Sequence, residues 1–240
     1  KGAMKKIPTT CGAAAVIGIL LLVMSTGCMT TDQQGPAGTT ATPGDDSYAT
    51  VLDTGVLETK LASYPEGTLS AEEESDLQYL HEEEKLARDV YGVLYEAWGM
   101  QVFKNIGNAE QTHMDSVTVL IDRYGLASSE NNPAGVFEHP ELQALYDSLV
   151  KTGLQSPEDA LRAAALVEET DIADLRDATA RTDNADIRYV YENLMRGSEN
   201  HLRAFVRNLE QQGESYEPLV LTKDEYSDIV STQVRPGGFS

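Results

Sequence analysis

The chemically informative residues of this chain are acids and histidines that interrupt otherwise apolar helical stripes. Glu110 and His113 stand three apart, on one face of a segment whose stripe also carries Phe103, Ile106, Val117, Leu120 and Tyr124. A second stripe runs Leu77, Leu80, Glu84, Ala87, Tyr91, Leu94 and Trp98. A third runs Leu161, Ala165, Glu168, Ile172 and Leu175, with Asp171 one turn beyond Glu168. A fourth runs Ile187, Tyr191, Leu194, Ser198, His201, Phe205 and Leu209. A lone glutamate in such a stripe more often reaches water at a helix rim than binds anything. A lone core histidine more often hydrogen-bonds a neighbour. Here ligand-type residues fall near the middle of all four stripes. Unpaired charges at one core level cost many kcal/mol, and a shared cation offsets that cost.

Carboxylates and imidazoles without thiolates suit iron, manganese or zinc. Dimetal carboxylate sites in helical bundles take one Glu from each of two helices and Glu-x-x-His from each of the other two. Glu84, Glu110-x-x-His113 and Glu168 match three parts of that pattern. The fourth helix departs from it, because Ser198 stands three before His201 where a glutamate is expected. Asp171 could supply the missing oxygen, and Gly197 could let the helix turn Glu199 inward, though a close-packing role is the plainer explanation. The candidate metal ligands are therefore Glu84, Glu110, His113, Glu168, Asp171 and His201. Glu72, Glu73, Glu74, Glu82 and Glu83 read as a solvated face, with Glu83 a reserve ligand. His81 and His139 read as surface residues. Tyr91 and Tyr191 face the level of the site, where core packing is the plainer role and hydrogen bonding to a ligand or electron relay the alternative.

The elements that must position these groups are helices. Ser70 with Glu73 forms a capping box, and the first helix runs from there to about Trp98, with Gly99 as its stop. The second runs from about Val102 to Tyr124. A long connection, 126–155, holds a short helix from Pro140 to Val150. The third opens with Ser156-Pro157-Glu158 and runs to about Ala178. The fourth spans about Asp183 to Gln212. Residues 214–240 read as a less regular tail.

His81-Glu-Glu-Glu-Lys-Leu-Ala-Arg-Asp-Val-Tyr91, Asn108-Ala-Glu-Gln-Thr-His113, Val167-Glu-Glu-Thr-Asp-Ile172 and Ser198-Glu-Asn-His-Leu-Arg-Ala-Phe205 together resemble the ferritin-like family called domain of unknown function 2202. The resemblance covers about Leu69 to Gln212. It implies an all-α, rubrerythrin-related four-helix bundle with one long crossover between its second and third helices. It carries no settled activity. Glu84 with Tyr91 seven residues on is similar to the first helix of ferritins. Glu168 with Asp171 is similar to the paired acids on the third helix of rubrerythrins.

The formal net charge of −21 argues against nucleic-acid binding, because phosphates are repelled. The two cysteines, Cys11 and Cys28, both precede the helical region, which excludes a disulfide framework or a thiolate metal site there. Lys5 and Lys6, the apolar run from Cys11 to Met24, and Ser25-Thr26-Gly27-Cys28 read as an export signal. The run is short for a spanning helix. The Gly27-Cys28 junction resembles a lipobox, with Ser25 where Leu is usual; an uncleaved anchor is the alternative. The expected organisation is a signal or anchor over 1–28, a flexible tether over 29–68, the ferritin-like domain over 69–213 and a tail over 214–240.

Three functions fit these residues. One is an extracytoplasmic, membrane-anchored or secreted metal-dependent oxidoreductase that oxidises Fe(II) or reduces oxygen or peroxide at a dimetal centre. Another is a module that binds metal or a small ligand without turnover. The last is a structural surface protein with a degenerate site. Without a Cys-x-x-Cys, a peroxidase of this type needs a separate electron-donor protein. A homodimer is the other partner state considered. If the lipobox reading is right, mass spectrometry of the native N-terminus finds lipidated Cys28 as the first residue. A mature protein that retains Lys5 rejects that reading.

Overall fold

A computed structural model describes residues 52–127, 132–234 and 239 of the chain. Among the described residues there are seven helices and no strand: α1 (Thr54–Leu61), α2 (Ala71–Trp98), α3 (Gln101–Arg123), α4 (Pro140–Gly153), α5 (Pro157–Arg181), α6 (Ala185–Gln211) and α7 (Lys223–Ser231). The expectations for Cys11, Cys28, the export signal and the tether over 29–51 lie outside these residues. The four long helices begin and end within two or three residues of the positions read from the sequence.

Local chemistry sets the boundaries. Ser70 caps α2 in extended backbone and accepts from the Glu73 amide, while the Glu73 carboxylate accepts from the Ser70 amide at 2.8 Å. Gly99 ends α2 with φ 65°, a left-handed conformation that a side chain would strain. Ser156 caps α5 through the Asp159 amide, with Pro157 in the first turn.

α2 packs along α3 and α5, and α6 packs along α5 and α3. Their apolar residues form two clusters. One includes Val90, Leu94, Phe103, Ile106, Leu161, Ala164, Phe205 and Leu209. The other includes Leu77, Leu80, Val117, Leu120, Leu175, Ala178, Ile187 and Leu194. α2 and α6 run from the second cluster to the first, and α3 and α5 run the other way. α3 and α5 are therefore co-directional, so the chain between them must travel back along the full length of the helices. The crossover does this with α4, which packs against α2 and α5.

Buried polar contacts fasten the crossover to α2. Glu82 accepts from the amides of Glu138 and His139 at 2.8 and 3.0 Å and lies 2.7 Å from His139 Nδ1. Lys85 Nζ donates to Asp89 at 2.7 Å and to the carbonyls of Pro133 and Val136. On α5, Glu169 accepts from the amides of Leu219, Val220 and Leu221 and from the Tyr216 hydroxyl. Arg203 on α6 donates to the carbonyl of Ile229 at 2.7 Å, which holds α7.

These fastenings correct several expectations. Glu73, Glu82 and Glu83 are buried rather than solvated, as is His81, whose Nε2 lies 3.1 Å from Thr118 Oγ1. The crossover covers what a single-helix reading takes for an outer face. Thr54–Leu61, assigned to the tether, is helical; it packs against α3 and buries Leu57 and Leu61. The tail carries α7.

Glu73 also accepts from Thr182 and Asn184, so one carboxylate ties the start of α2 to the α5–α6 turn. Burial raises the affinity of this carboxyl for its proton, but its hydrogen bonds outweigh that and hold its pKa below the usual value. A depressed pKa means stability present above about pH 4.5 and lost as pH falls through the folded value. Glu73→Gln is expected to lower stability by about 1–2 kcal/mol at pH 7. The gap from the parent should close below pH 4, as read by urea melts at both pH values. An undiminished gap at low pH would assign the loss to packing.

Candidate metal centre

Between the two apolar clusters lies a layer of ionisable side chains from all four long helices. Glu84, Glu110, His113, Glu168, Asp171, Ser198 and His201 are all buried, none more than 4 % exposed. The stripe midpoints coincide because the helices alternate in direction about this level.

Glu110 is the centre of the layer. Its Oε2 lies 2.9 Å from His113 Nδ1, and its Oε1 lies 2.8 Å from His201 Nδ1. Glu84 Oε2 approaches His113 Nδ1 at 3.3 Å, and Glu168 Oε2 approaches His201 Nδ1 at 3.5 Å. Each imidazole thus stands between Glu110 and one outer carboxylate. The two rings stack with centroids 5.2 Å apart. Distance alone would allow Glu110 to hydrogen-bond both rings, yet neither Nδ1 is aligned to do so. The remaining oxygen of Glu84 and Asp171 Oδ1 also lack partners. Buried polar atoms without partners are rare and costly. Ligand atoms that converge without hydrogen-bond alignment are what a shared cation requires. Glu110, His113 and His201 alone offer three ligand atoms within 4.8 Å of one another.

Neighbouring groups hold the outer carboxylates. Tyr91 donates to Glu168 Oε1, and Ser198 donates to Asp171 Oδ2, which leaves Oδ1 of that carboxylate without a partner. Ser198, where a glutamate is expected from the sequence pattern, thus offers a hydroxyl that orients an acid on α5. Glu84, Glu110 and Glu168 all lie close enough to Asp171 to act on its charge. Gly197 leaves room for the His113 ring: a Cβ there would stand 2.5 Å from Nε2. Close packing, the plainer of the two roles read for Gly197, is the one the structure shows, although the sequence does not name His113 as the neighbour. Glu199 does not turn inward; it pairs with Arg203 at 3.3 Å. Tyr191 sits in the second apolar cluster, where Asp76, Glu73 and Arg181 are its charged neighbours.

Burial dominates the electrostatics. It raises Glu84 to about 7, with the Glu110 charge adding and His113 opposing. It raises Glu168 to about 8, with Glu110 adding and His201 opposing. Asp171 is pushed well up by burial and by Glu84. Burial alone would also raise Glu110, but His201 and His113 outweigh it and hold Glu110 well below the usual carboxylate range. Burial disfavours charged His201, yet Glu110 and Glu168 raise it to about 9; burial opposes charged His113 as well, and Glu84 and Glu110 raise it well above the usual imidazole value. Without metal, the layer is kept near neutrality by protons on imidazoles and outer carboxyls. Metal ligation must displace them.

Comparison with known proteins adds a family. Residues 73–233 match the model of an uncharacterized protein domain, DUF2202. An uncharacterized protein of Methanocaldococcus jannaschii, MJ0754, is 47% identical over 178 residues, which span 74% of this chain and 96% of that protein. The crystal structure of hypothetical protein MJ0754 superposes with a TM-score of 0.71 at 48% identity, covering 72% of this chain and 99% of that one. The chain belongs to the DUF2202 family.

The Gly197 contact yields a sharp test. Gly197→Ala is expected to displace the His113 ring and weaken metal binding about 10-fold or more. Overpacking should cost about 1–3 kcal/mol. Gly92→Ala on α2, where a Cβ meets nothing within 4 Å, should instead stabilise the fold by about 0.5–1 kcal/mol and leave metal binding unchanged. Calorimetric metal titrations beside thermal melts read both effects. Equal metal affinity in the two variants would remove Gly197 from the site.

Proposed function

We propose that this DUF2202 member is a ferritin-like, rubrerythrin-related four-helix bundle whose buried layer holds iron, or else manganese or zinc, at a dimetal carboxylate centre. The observation that carries the reading is the posture of Glu110. Each of its oxygens faces one imidazole nitrogen, without hydrogen-bond alignment, in a core from which water is excluded. A proton shared by hydrogen bonding would call for aligned N–H groups; a cation would not.

The donor set fits two ions. Glu110 is placed to be shared, His113 and Glu84 to complete one side, and His201 and Glu168 the other. Asp171, turned by Ser198, supplies a further oxygen where the family of dimetal sites uses a glutamate on the last helix. Two redox metals held by Glu84, Glu110, His113, Glu168, Asp171 and His201 would supply two-electron chemistry, which suits Fe(II) oxidation or reduction of oxygen or peroxide. The chain's own residues hold the ligands in place and keep the layer dry. Tyr91 fixes Glu168, and the stacked rings of His113 and His201 fix each other. No Cys-x-x-Cys accompanies the site, so turnover as a peroxidase requires a separate electron-donor protein. The export signal supports a place on the outer face of the membrane, by lipid on Cys28 or by an anchor. No helix among the described residues is long and apolar enough to cross a membrane.

A second reading, a non-catalytic metal-binding module, is favoured by Ser198, which makes the two halves of the layer unequal. Metal analysis separates the readings. Protein purified without chelator is expected to carry iron, manganese or zinc, and two ions per chain support the dimetal centre. Glu110→Ala or His113→Ala should lose the metal and keep the helical circular dichroism. Glu84, Glu168 and His201 hold protons below about 7, 8 and 9, so affinity should climb with pH through that window, and uptake at pH 7 should release protons. One ion per chain without oxygen consumption supports the binding module. No uptake of Fe(II), Mn(II) or Zn(II) at any pH defeats both.

A further inference from the structure

The centre is sealed on all sides by helices, so a cation must have a way in. Most buried carboxylates outside the layer are saturated by donors. Glu82, Asp89, Glu169 and Asp186 each accept at least three hydrogen bonds or ion pairs from amides, hydroxyls, lysine, arginine or histidine. Glu83 is the exception. It is 2 % exposed, no amide, hydroxyl, lysine, arginine or histidine donates to it, and the polar group against it is the Asp174 carboxyl.

The charged groups that face Glu83 are all acids. Asp174 and Asp171 of α5 lie on one side and Glu84 of the centre on the other. Asp174 in turn faces Asp177 and Asp76, with Arg181 nearby. Arg181 is already paired with Asp76 at 2.8 Å, so the cation at the outer end is engaged. Asp171, Asp174 and Asp177 follow one another at intervals of three on α5, a spacing that makes successive side chains neighbours. Their exposure is graded: Asp171 is buried, Asp174 half-buried and Asp177 exposed. Carboxyl groups thus follow one another from Asp177, which Arg176 approaches at 3.3 Å, to the metal layer, where Ser198 donates to one oxygen of Asp171 and leaves the other without a donor.

We propose that Glu83 and Asp174, on the seam between α2 and α5, form the entry route by which divalent cations pass from the surface at Asp177 to the buried centre. Carboxyl oxygens that give up a proton can pass a hydrated cation inward while it sheds water. The exposed carboxylates at the outer end raise the local cation concentration and the association rate, while burial and the neighbouring acids push Glu83 and Asp171 well above the usual carboxyl range, so these inner groups exchange protons for the cation. Glu83 serves as the last relay before Glu84 and Asp171. This inference rests on the metal-centre reading.

The probe is Co(II) alone, followed by stopped-flow absorption, with equilibrium stoichiometry measured by dialysis. Asp174→Asn and Glu83→Gln are each expected to slow loading about tenfold. Final occupancy and equilibrium affinity should stay at the parent values. Glu192→Gln, the same charge change at an exposed α6 position outside the line, should load at the parent rate. Raising ionic strength should slow the parent more than Asp174→Asn. If the parent takes up no Co(II), the metal-centre reading fails. If the parent loads and Asp174→Asn loads equally fast, the route is wrong and the centre stands. If Glu83→Gln lowers occupancy or affinity in place of rate, Glu83 is a ligand and the route is likewise overturned.

Discussion

A carboxylate taken out of water must find a cation, a proton or a set of hydrogen-bond donors, and this constraint organises the whole molecule. The chain meets it in three ways. At the ends of α2 and α5, and where the crossover and the C-terminal segment dock, buried acids are saturated by amides and hydroxyls. At Asp89 and Asp186 they are paired with Lys85, Arg88 and Arg123. In the central layer both answers are incomplete: hydroxyls of Tyr91 and Ser198 serve one oxygen each of Glu168 and Asp171, and the remaining partners of the acids are other acids and imidazoles. That layer splits the core into two apolar clusters. It would be a liability in a protein that used its core only for stability. Each acid left without a donor carries a desolvation cost of about 1–3 kcal/mol or more, which a bound cation offsets.

Much of this was legible in the sequence. The four long helices were readable because their stripes are strongly periodic and their ends carry residues with one local use: Ser70 with Glu73, Gly99, and Ser156 with Pro157. The six candidate ligands were readable because each interrupts a stripe near its midpoint, and antiparallel packing brings midpoints together. The structure brings all six into one layer. What was not legible depends on segments folding over a helix from outside. Glu82 and Glu83 look like a solvated run because amphipathicity assumes one buried face, whereas α2 between Leu80 and Tyr91 is covered nearly all round. Gly197 shows in one dimension that close packing is one of its uses, but not that an imidazole from another helix fills the space of its missing side chain.

The departure at Ser198 also has a physical account. Losing a glutamate from α6 would remove one oxygen from the layer. The hydroxyl that stands there accepts no such role itself. It donates to the neighbouring Asp171 and to the carbonyl of Leu194 at 3.1 Å. The acid at this level is thus supplied by α5 and the group that orients it by α6.

Glu82 and Glu169 sit beside the layer, two residues before Glu84 and one after Glu168, and each grips a connecting segment by its backbone amides. An amide is the same on every residue except proline, which has none. The grip is therefore blind to side-chain identity. Pro140 and Pro218 flank the gripped amides and occupy none of them. The outer wrapping of this protein can drift in sequence, and so change the face it offers to its surroundings, while the turns that carry Glu84 and Glu168 stay held in the same way.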